Sequence, residues 1–295
     1  MALVESKTAG SRLFTICIYV MLGLVMLLTL YPCWYVLMAS VSNPVALYNG
    51  SKLLLWPRGF SLEAYRLIVQ HNMLWKSYGN TLIYVSASLV LSLTCTILSS
   101  YVLSRSYMPG KKLILGMITV TMFFSGGMIP IYLVMVKLQL VNTRWAMILP
   151  SLVSTYNTII MMTYFRGIPA SLEESARIDG ANDFVILLRI IVPLATPVIA
   201  VIALYIIVGK WNSYIPATIY LRDRELFPLQ VILREILISG TSNLDTATSG
   251  YDDFSAYSEA VKYTTIIVST LPVLCIYPFL QRFFVKGVML GAIKG

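Results

Sequence analysis

Charge is what this sequence has least of. Of 295 residues only 12% are charged and 58% are hydrophobic, whereas a soluble domain carries about 25% charged residues. That scarcity argues against a soluble globular protein. Histidine occurs once, as His71, and the four cysteines (Cys17, Cys33, Cys95, Cys275) form no CxxC pair. A metal-ligand cluster of His and Cys is therefore excluded. His71 reads as a surface residue, and the cysteines, all within apolar runs, as packing residues. No GxxxxGK[ST] phosphate loop is present, so ATP is not expected to bind here. The apolar runs also hold no Asp or Glu, as a proton- or ion-coupled secondary transporter requires, nor the His/Asp/Glu constellation of a membrane-embedded enzyme.

What the chain does have is long stretches free of Asp, Glu, Lys, Arg and His. Six run from Leu13 to Ser51, Ser77 to Ser104, Leu113 to Val136, Trp145 to Phe165, Ile190 to Gly209 and Tyr263 to Gln281, each at least 19 residues long. A hydrocarbon core of about 30 Å takes about 20 residues of helix. The pattern predicts an all-α membrane protein of six transmembrane helices, with membrane lipid as its surroundings. Continuous apolarity disfavours a β-barrel, whose strands alternate. In the first run Ser42-Asn43-Pro44 breaks the helix, so one span followed by an extramembranous segment is expected. The run from Leu13 to Leu30 is too long for a signal peptide and lacks a prompt cleavage site.

Six spans put both termini on one side. Residues 1–12, 105–112, 166–189 and 282–295 carry 11 Lys+Arg and five acidic residues, a net of +6; residues 40–76, 137–144 and 221–262 carry 10 and eight, a net of +2. The first group is also the shorter, and short basic loops stay inside. Both termini are thus expected in the cytoplasm. The total of +9 is then a matter of topology, and nucleic acid is not an expected partner. In the outside segments Ser61 should cap a short helix through Asn72, Phe227 to Ile238 is amphipathic, and 239–255 reads as a flexible loop.

The loop between the fourth and fifth runs is the most informative. Ser171 followed by Glu174 has the spacing of a capping box, predicting a helix from Leu172. Gly180 after Asp179 suits a left-handed helix end. A second helix should begin after Asn182 and enter the membrane at Pro193 and Pro197. Small Ser175 and Ala176 would leave the first helix open to close approach by another protein. An ordinary loop helix packed on its own bundle fits the same residues.

Here a resemblance enters. Glu174, Ala176, Gly180, Ile190 and Pro193 match at the required spacing the EAA signature of binding-protein-dependent ABC importer permeases; Ser175 replaces the second Ala and Val192 the Leu before Pro. The run Ile178-Asp-Gly-Ala181, the pair Trp211-Asn212 and the six-span arrangement resemble the carbohydrate branch, to which the maltose importer's second permease belongs. Phe227-Pro-Leu-Gln230 and the closing 287–295 resemble a subgroup importing complex oligosaccharides, including uronate-rich ones such as alginate.

The resemblance implies a single permease domain over 13–295, an ATPase-docking loop at 166–193 and a cytoplasmic tail at 282–295. It implies docking roles for Leu172, Glu173, Glu174, Ser175, Ala176, Ile178, Asp179 and Phe184, with Gly180 as the required turn. The implied partners are a second permease, two ATPase subunits that hold ATP and Mg, an extracytoplasmic solute-binding protein and an oligosaccharide. The protein would be a transport subunit of the bacterial inner membrane, with no catalytic residues and no cofactor of its own. The basic tail (Arg282, Lys286, Lys294) is either an orientation signal or a contact to the ATPase.

For the solute path, Lys210, Trp211, Asn212 and Tyr214 combine a cation, aromatic faces and an amide suited to sugars, and Tyr156 and Asn157 lie in the fourth run. An aromatic belt with a snorkelling lysine accounts for the first cluster equally well. Gly126-Gly127 marks a path lining or a helix bend.

Overall fold

An apolar run cannot leave backbone groups unpaired in lipid, so helices are what these residues must form. A computed structural model of the protein describes residues 9–51, 53–239, 257–275 and 278. They are helical almost throughout, with a single isolated β-bridge between Ser42 and Phe60 and no strand among the described residues. Two units are divided at His71/Asn72, Arg234/Glu235 and Thr270/Leu271.

In the first unit, α1 (Ala9–Ser40) is one unbroken helix, with Pro32 inside it. The chain breaks where Ser42-Asn43-Pro44 foretold. The Asn43 side chain accepts from the amides of Val45 and Ala46 to cap α2 (Pro44–Tyr48), with Pro44 at its first turn. The short helix expected from Ser61 to Asn72 is shorter: α3 is Glu63–Val69. Ser61 Oγ still accepts from the Glu63 amide at 3.3 Å, but Asn72 opens the next helix instead of closing this one. His71, in the link, is half-buried and not the surface residue expected.

The second unit is built around α4 (Asn72–Ser104). Its polar residues Ser77, Thr81, Ser88, Ser92, Thr96 and Ser100 are buried and recur mostly at four-residue steps. That spacing makes one face of the helix small and lets neighbouring backbones approach, the mode by which helices associate without a hydrophobic drive in lipid. Ser100 Oγ donates across to the Thr158 carbonyl at 2.9 Å.

The later runs differ from the expectation of one straight helix each. α5 (Lys111–Phe123) and α6 (Met128–Lys137) meet at 112° across Gly126-Gly127, where Gly127 takes φ +84°; only glycine accepts that backbone freely. α7 (Trp145–Ile148), with one 3₁₀ turn to Ser151, meets α8 (Thr155–Arg166) at 51°. α9 (Ala170–Ile178) precedes α10 (Asp183–Ile186). A π turn at Leu187–Ile191 and the short α11 (Val192–Leu194) follow, and α12 (Thr196–Trp211) leaves at 82°. Pro193 lacks an amide hydrogen, and at the end of the π turn the Val192 amide reaches back five residues to the Leu187 carbonyl. Only α1 and α4 are long and apolar enough to span alone; counting each bent pair as one span gives up to five among the described residues.

α13 (Ile215–Tyr220) follows in this unit, and α14 (Leu229–Ser239), which runs across the division at Arg234/Glu235, begins within the amphipathic stretch read from the sequence. The link before α14 is held by α4: Asn80 Nδ2 donates to the carbonyls of Glu225 and Phe227, Tyr84 Oη to Leu226, and the Leu229 amide donates to Thr81 Oγ1. α15 covers 257–275, earlier than the sixth run's start at Tyr263. The 240–255 part of the expected loop and the 282–295 tail lie outside the described residues. Cys17, Cys33 and Cys275 are exposed and Cys95 half-buried, so the first three are not the packing residues expected.

The stripe on α4 has a measurable consequence. Thr96 is fully buried, so Thr96→Leu overpacks its face at a cost of about 1–3 kcal/mol. The detergent-solubilised protein should melt at lower temperature than wild type, with Thr96→Ser close to unchanged.

Candidate functional site

The loop of 166–193 folds as a helix, a tight turn and a second helix. α9 begins two residues before the predicted start: Pro169, at φ −57° and ψ 129°, sets the turn, and no side chain caps the helix. Ser171 is therefore inside α9, its carbonyl accepting from Ser175 Oγ at 2.9 Å, and the capping-box reading is corrected. The end is as read. Gly180 takes φ +81°, the Gly180 amide donates to the Arg177 carbonyl and the Ala181 amide to the Ala176 carbonyl, the two bonds of a Schellman turn. Asn182 Oδ1 then accepts from the Val185 amide at 2.9 Å to cap α10.

The faces of α9 divide the site residues in two. Leu172, Glu174, Ser175, Ile178, Asp179 and, after the turn, Phe184 are exposed, Ile178 by 87%. Glu173 and Ala176 turn inward. Ala176 packs against the core around Phe165, Ile186 and Leu187, so it is not on the surface as its size suggested. Glu173 pairs with Arg105, just after α4, both side chains nearly buried at 13% and 11% exposure. The Arg105 guanidinium also lies 4.0 Å from the centre of the Tyr101 ring.

A second ion pair, Arg177 with Asp183, bridges the Gly180 turn. The hydrogen bond to Asp183 and that carboxylate's charge raise the Arg177 pKa. Tyr101 and Tyr107 also reach Asp183, each at 3.5 Å. Lys111 donates to the Ser104 and Arg105 carbonyls, ending α4. Desolvation, then the charges of Arg166 and Arg105, lower its pKa from the ordinary lysine value. Sequence reasoning missed Arg105 and Arg177 as the groups that fix the loop. Arg105 is the first charge after a long apolar run, and Arg177 and Asp183 flank the glycine at equal distance.

The other candidate lies about the break between α7 and α8. A cleft of about 390 Å³ is lined by Asn157, Lys210, Ser92, Ser154 and Tyr205 among others. Lys210 Nζ donates to the Met147 carbonyl and to Ser151 Oγ, both at 2.5 Å. The amine thus sits on one carbonyl left open near a helix end and on a hydroxyl. It does not snorkel outward.

Of the six expected path residues only Asn157 and Lys210 line this cleft. Trp211 is buried edge-on to Tyr78, ring centres 6.0 Å apart. Asn212 donates to the Val208 carbonyl and accepts from Gln230. Tyr214 lies under the Arg234 guanidinium at 4.2 Å, and Tyr156 is exposed outside the lining. Ser92 and Tyr205 were missed. The four-residue stripe on α4 carries the first, and Tyr205 shares a face with Gly209. Among the described residues no group of three His, Cys, Asp or Glu is placed to hold a metal.

No protein-family model matches the chain. It is 38% identical over 285 residues to the polygalacturonan/rhamnogalacturonan transport system permease protein YtcP of Bacillus subtilis (strain 168), covering 97% of this chain and 99% of that one. Protein LplC of the same strain is 37% identical over 291 residues, with 98% and 97% covered. The crystal structure of a bacterial ABC transporter involved in the import of the acidic polysaccharide alginate has a chain matching at TM-score 0.85 and 33% identity, over 94% of this chain and 98% of that chain.

The Arg105–Glu173 pair gives a prediction. Arg105→Ala should leave the Glu173 carboxylate unpaired in a nearly dry site and cost about 2 kcal/mol. Hydrogen exchange of the 170–178 amides should speed up. A double-mutant cycle with Glu173→Ala should show coupling well above that of exposed pairs, and additive effects would refute the clamp.

Proposed function

Since the chain belongs to the family of sugar ABC transporter permeases, a transport component of the inner membrane and not an enzyme, we propose that it forms half of a translocation pathway for oligosaccharides. Six spans with both termini in the cytoplasm complete the proposal. So do a second permease as the partner half, two ATPase subunits carrying ATP and Mg, and an extracytoplasmic solute-binding protein. The permease domain is 13–295, the docking loop 166–193, the outside segments 40–76 and 221–262, and the cytoplasmic ends 1–12 and 282–295. Family membership disfavours an ion-coupled secondary transporter.

The observation that carries the reading is the division of α9. Glu173 and Ala176 hold the helix to its own subunit, while Leu172, Glu174, Ser175 and Ile178, with Phe184 beyond the turn, stay open. An exposed apolar residue such as Ile178 beside polar neighbours is what a partner surface covers. We infer that the ATPase takes this face. The Arg177–Asp183 bridge keeps α9 and α10 at a fixed angle, so closure of the ATPases moves α9 and α12 together. ATP then biases the two-state equilibrium of the pathway through one rigid contact.

For the solute, the proposal is a uronate-bearing oligosaccharide. Its support is the relatives that transport polygalacturonan and rhamnogalacturonan or import alginate, together with Lys210, Asn157, Ser92 and Tyr205 about one cleft. The hydroxyls and amide suit sugar hydroxyls, and the amine supplies a fixed positive charge.

Two tests separate docking from solute contact. Gly180→Val places a β-branched residue at positive φ, a strain of about 1–2 kcal/mol, and Glu174→Lys reverses charge on the open face. Both should leave membrane insertion intact while weakening ATPase attachment or solute-stimulated hydrolysis; normal uptake by both refutes the docking. Lys210→Ala should lower transport of an acidic oligosaccharide roughly fivefold relative to a neutral one, for a charge interaction of about 1 kcal/mol. Equal loss for both solutes would leave Lys210 a purely structural role.

A further inference from the structure

The chain that leaves α1 does not move away from it. The indole Nε1 of Trp34 donates to the Leu55 carbonyl at 2.9 Å. Trp34 lies six residues before the end of α1 at Ser40, about 9 Å back along the helix. Leu54 is buried with Ala39 and Leu47 in the core of this unit. Its two neighbours face out, Leu53 by 70% and Leu55 by 60%, and Trp56 follows by 76%.

Three carbonyls of this loop are met by side-chain donors. The Arg58 guanidinium donates to the Ser51 carbonyl at 2.8 Å and to the Leu53 carbonyl at 3.0 Å. With the Trp34 bond, every second carbonyl from Ser51 to Leu55 has a side-chain donor. Arg58 also donates its amide to Ser42 Oγ. Gly50 makes room for it: a Cβ there would meet Arg58 Nη1 at 1.5 Å. Lipid supplies no hydrogen-bond donor, so carbonyls held by side chains suit backbone near membrane depth.

Depth follows from the helix. About 20 residues cross the hydrocarbon, so from Arg12, the last charge before the run, its far boundary falls near Tyr31. Tyr31, Trp34 and Tyr35 then occupy the headgroup level where aromatic belts form, and the loop returns to that level.

We propose that residues 53–56 are a membrane anchor, with Leu53, Leu55 and Trp56 inserted among lipids at the interface beyond the C-terminal half of α1. Like them, Leu27, Leu28 and Leu30 of α1 are exposed by more than half. The partner is the bilayer itself, and the inference depends on α1 spanning it but not on which solute is carried.

The test uses the assembled transporter in phosphatidylethanolamine/phosphatidylglycerol vesicles, with the four native cysteines replaced by serine and transport verified. Nitroxide labels are placed singly at Leu53→Cys and Trp56→Cys, and at Asn49→Cys as an exposed polar reference. Oxygen should relax the labels at 53 and 56 more than a water-soluble nickel chelate does, with the order reversed at 49. Nickel dominance at 56 would overturn the anchor, and so would shielding that appears only when the solute-binding protein is added, which marks a protein dock. A label-free check is quenching by brominated phospholipids: Trp56→Phe should lose a share of the lipid-quenchable tryptophan emission, and an unchanged quenched share contradicts insertion.

Discussion

Hydrocarbon offers no hydrogen-bond partner, and this constraint governs the molecule wherever a helix stops. An unbroken helix satisfies itself except where a proline removes an amide, as Pro32 does in α1. Where a helix stops, carbonyls and amides left open are answered from within the chain at several places. Lys210 answers at Met147 and Ser151, and Asn80, Thr81 and Tyr84 answer for the link before α14. Asn142, itself at φ +61°, accepts from the amides of Arg222 and Asp223. Polar side chains thus gather where the backbone changes direction, as well as along the buried stripe of α4. The cleft beside Lys210 exists because α7 and α8 do not join in a straight line.

The same economy of charge shapes the loop of 166–193. Two ion pairs are spent within a dozen residues, one nearly buried between α9 and the end of α4, one across the glycine turn. The first ties α9 to the end of α4, and the second bridges the turn between α9 and α10. What remains outward includes Leu172, Ile178 and Phe184 beside Glu174 and Asp179.

Helix, apolarity and the turn at Gly180 were legible in the sequence because each depends on local rules: charge-free length, Asn43 before Pro44, Gly180 after Asp179, Asn182 before α10. The breaks were less so. Gly126-Gly127 announced one bend, and Ser154 and Pro197 mark the starts of α8 and α12, but local residues do not set the angles of 51° and 82°. The side chains of the site show the same limit. Trp211, Asn212 and Tyr214 have the chemistry of a sugar site and adjacent numbers, yet successive helical residues point about 100° apart, and packing against Tyr78, Gln230 and Arg234 takes each elsewhere. Ser92 and Tyr205, distant from each other in sequence, line the cleft with Lys210 instead.

The π turn at Leu187–Ile191 changes how this family's sequences must be compared. An extra residue within a helix advances every later side chain by about 100°, so the relation between the open face of α9 and α12 is set by a residue count as much as by residue identity. A relative with one residue fewer between the Gly180 equivalent and its proline would have to lose the bulge or turn α9 by that angle. Gaps in this short stretch of an alignment thus carry angular information, and a clean alignment of the glycine and the proline means that two chains hold these helices at the same phase.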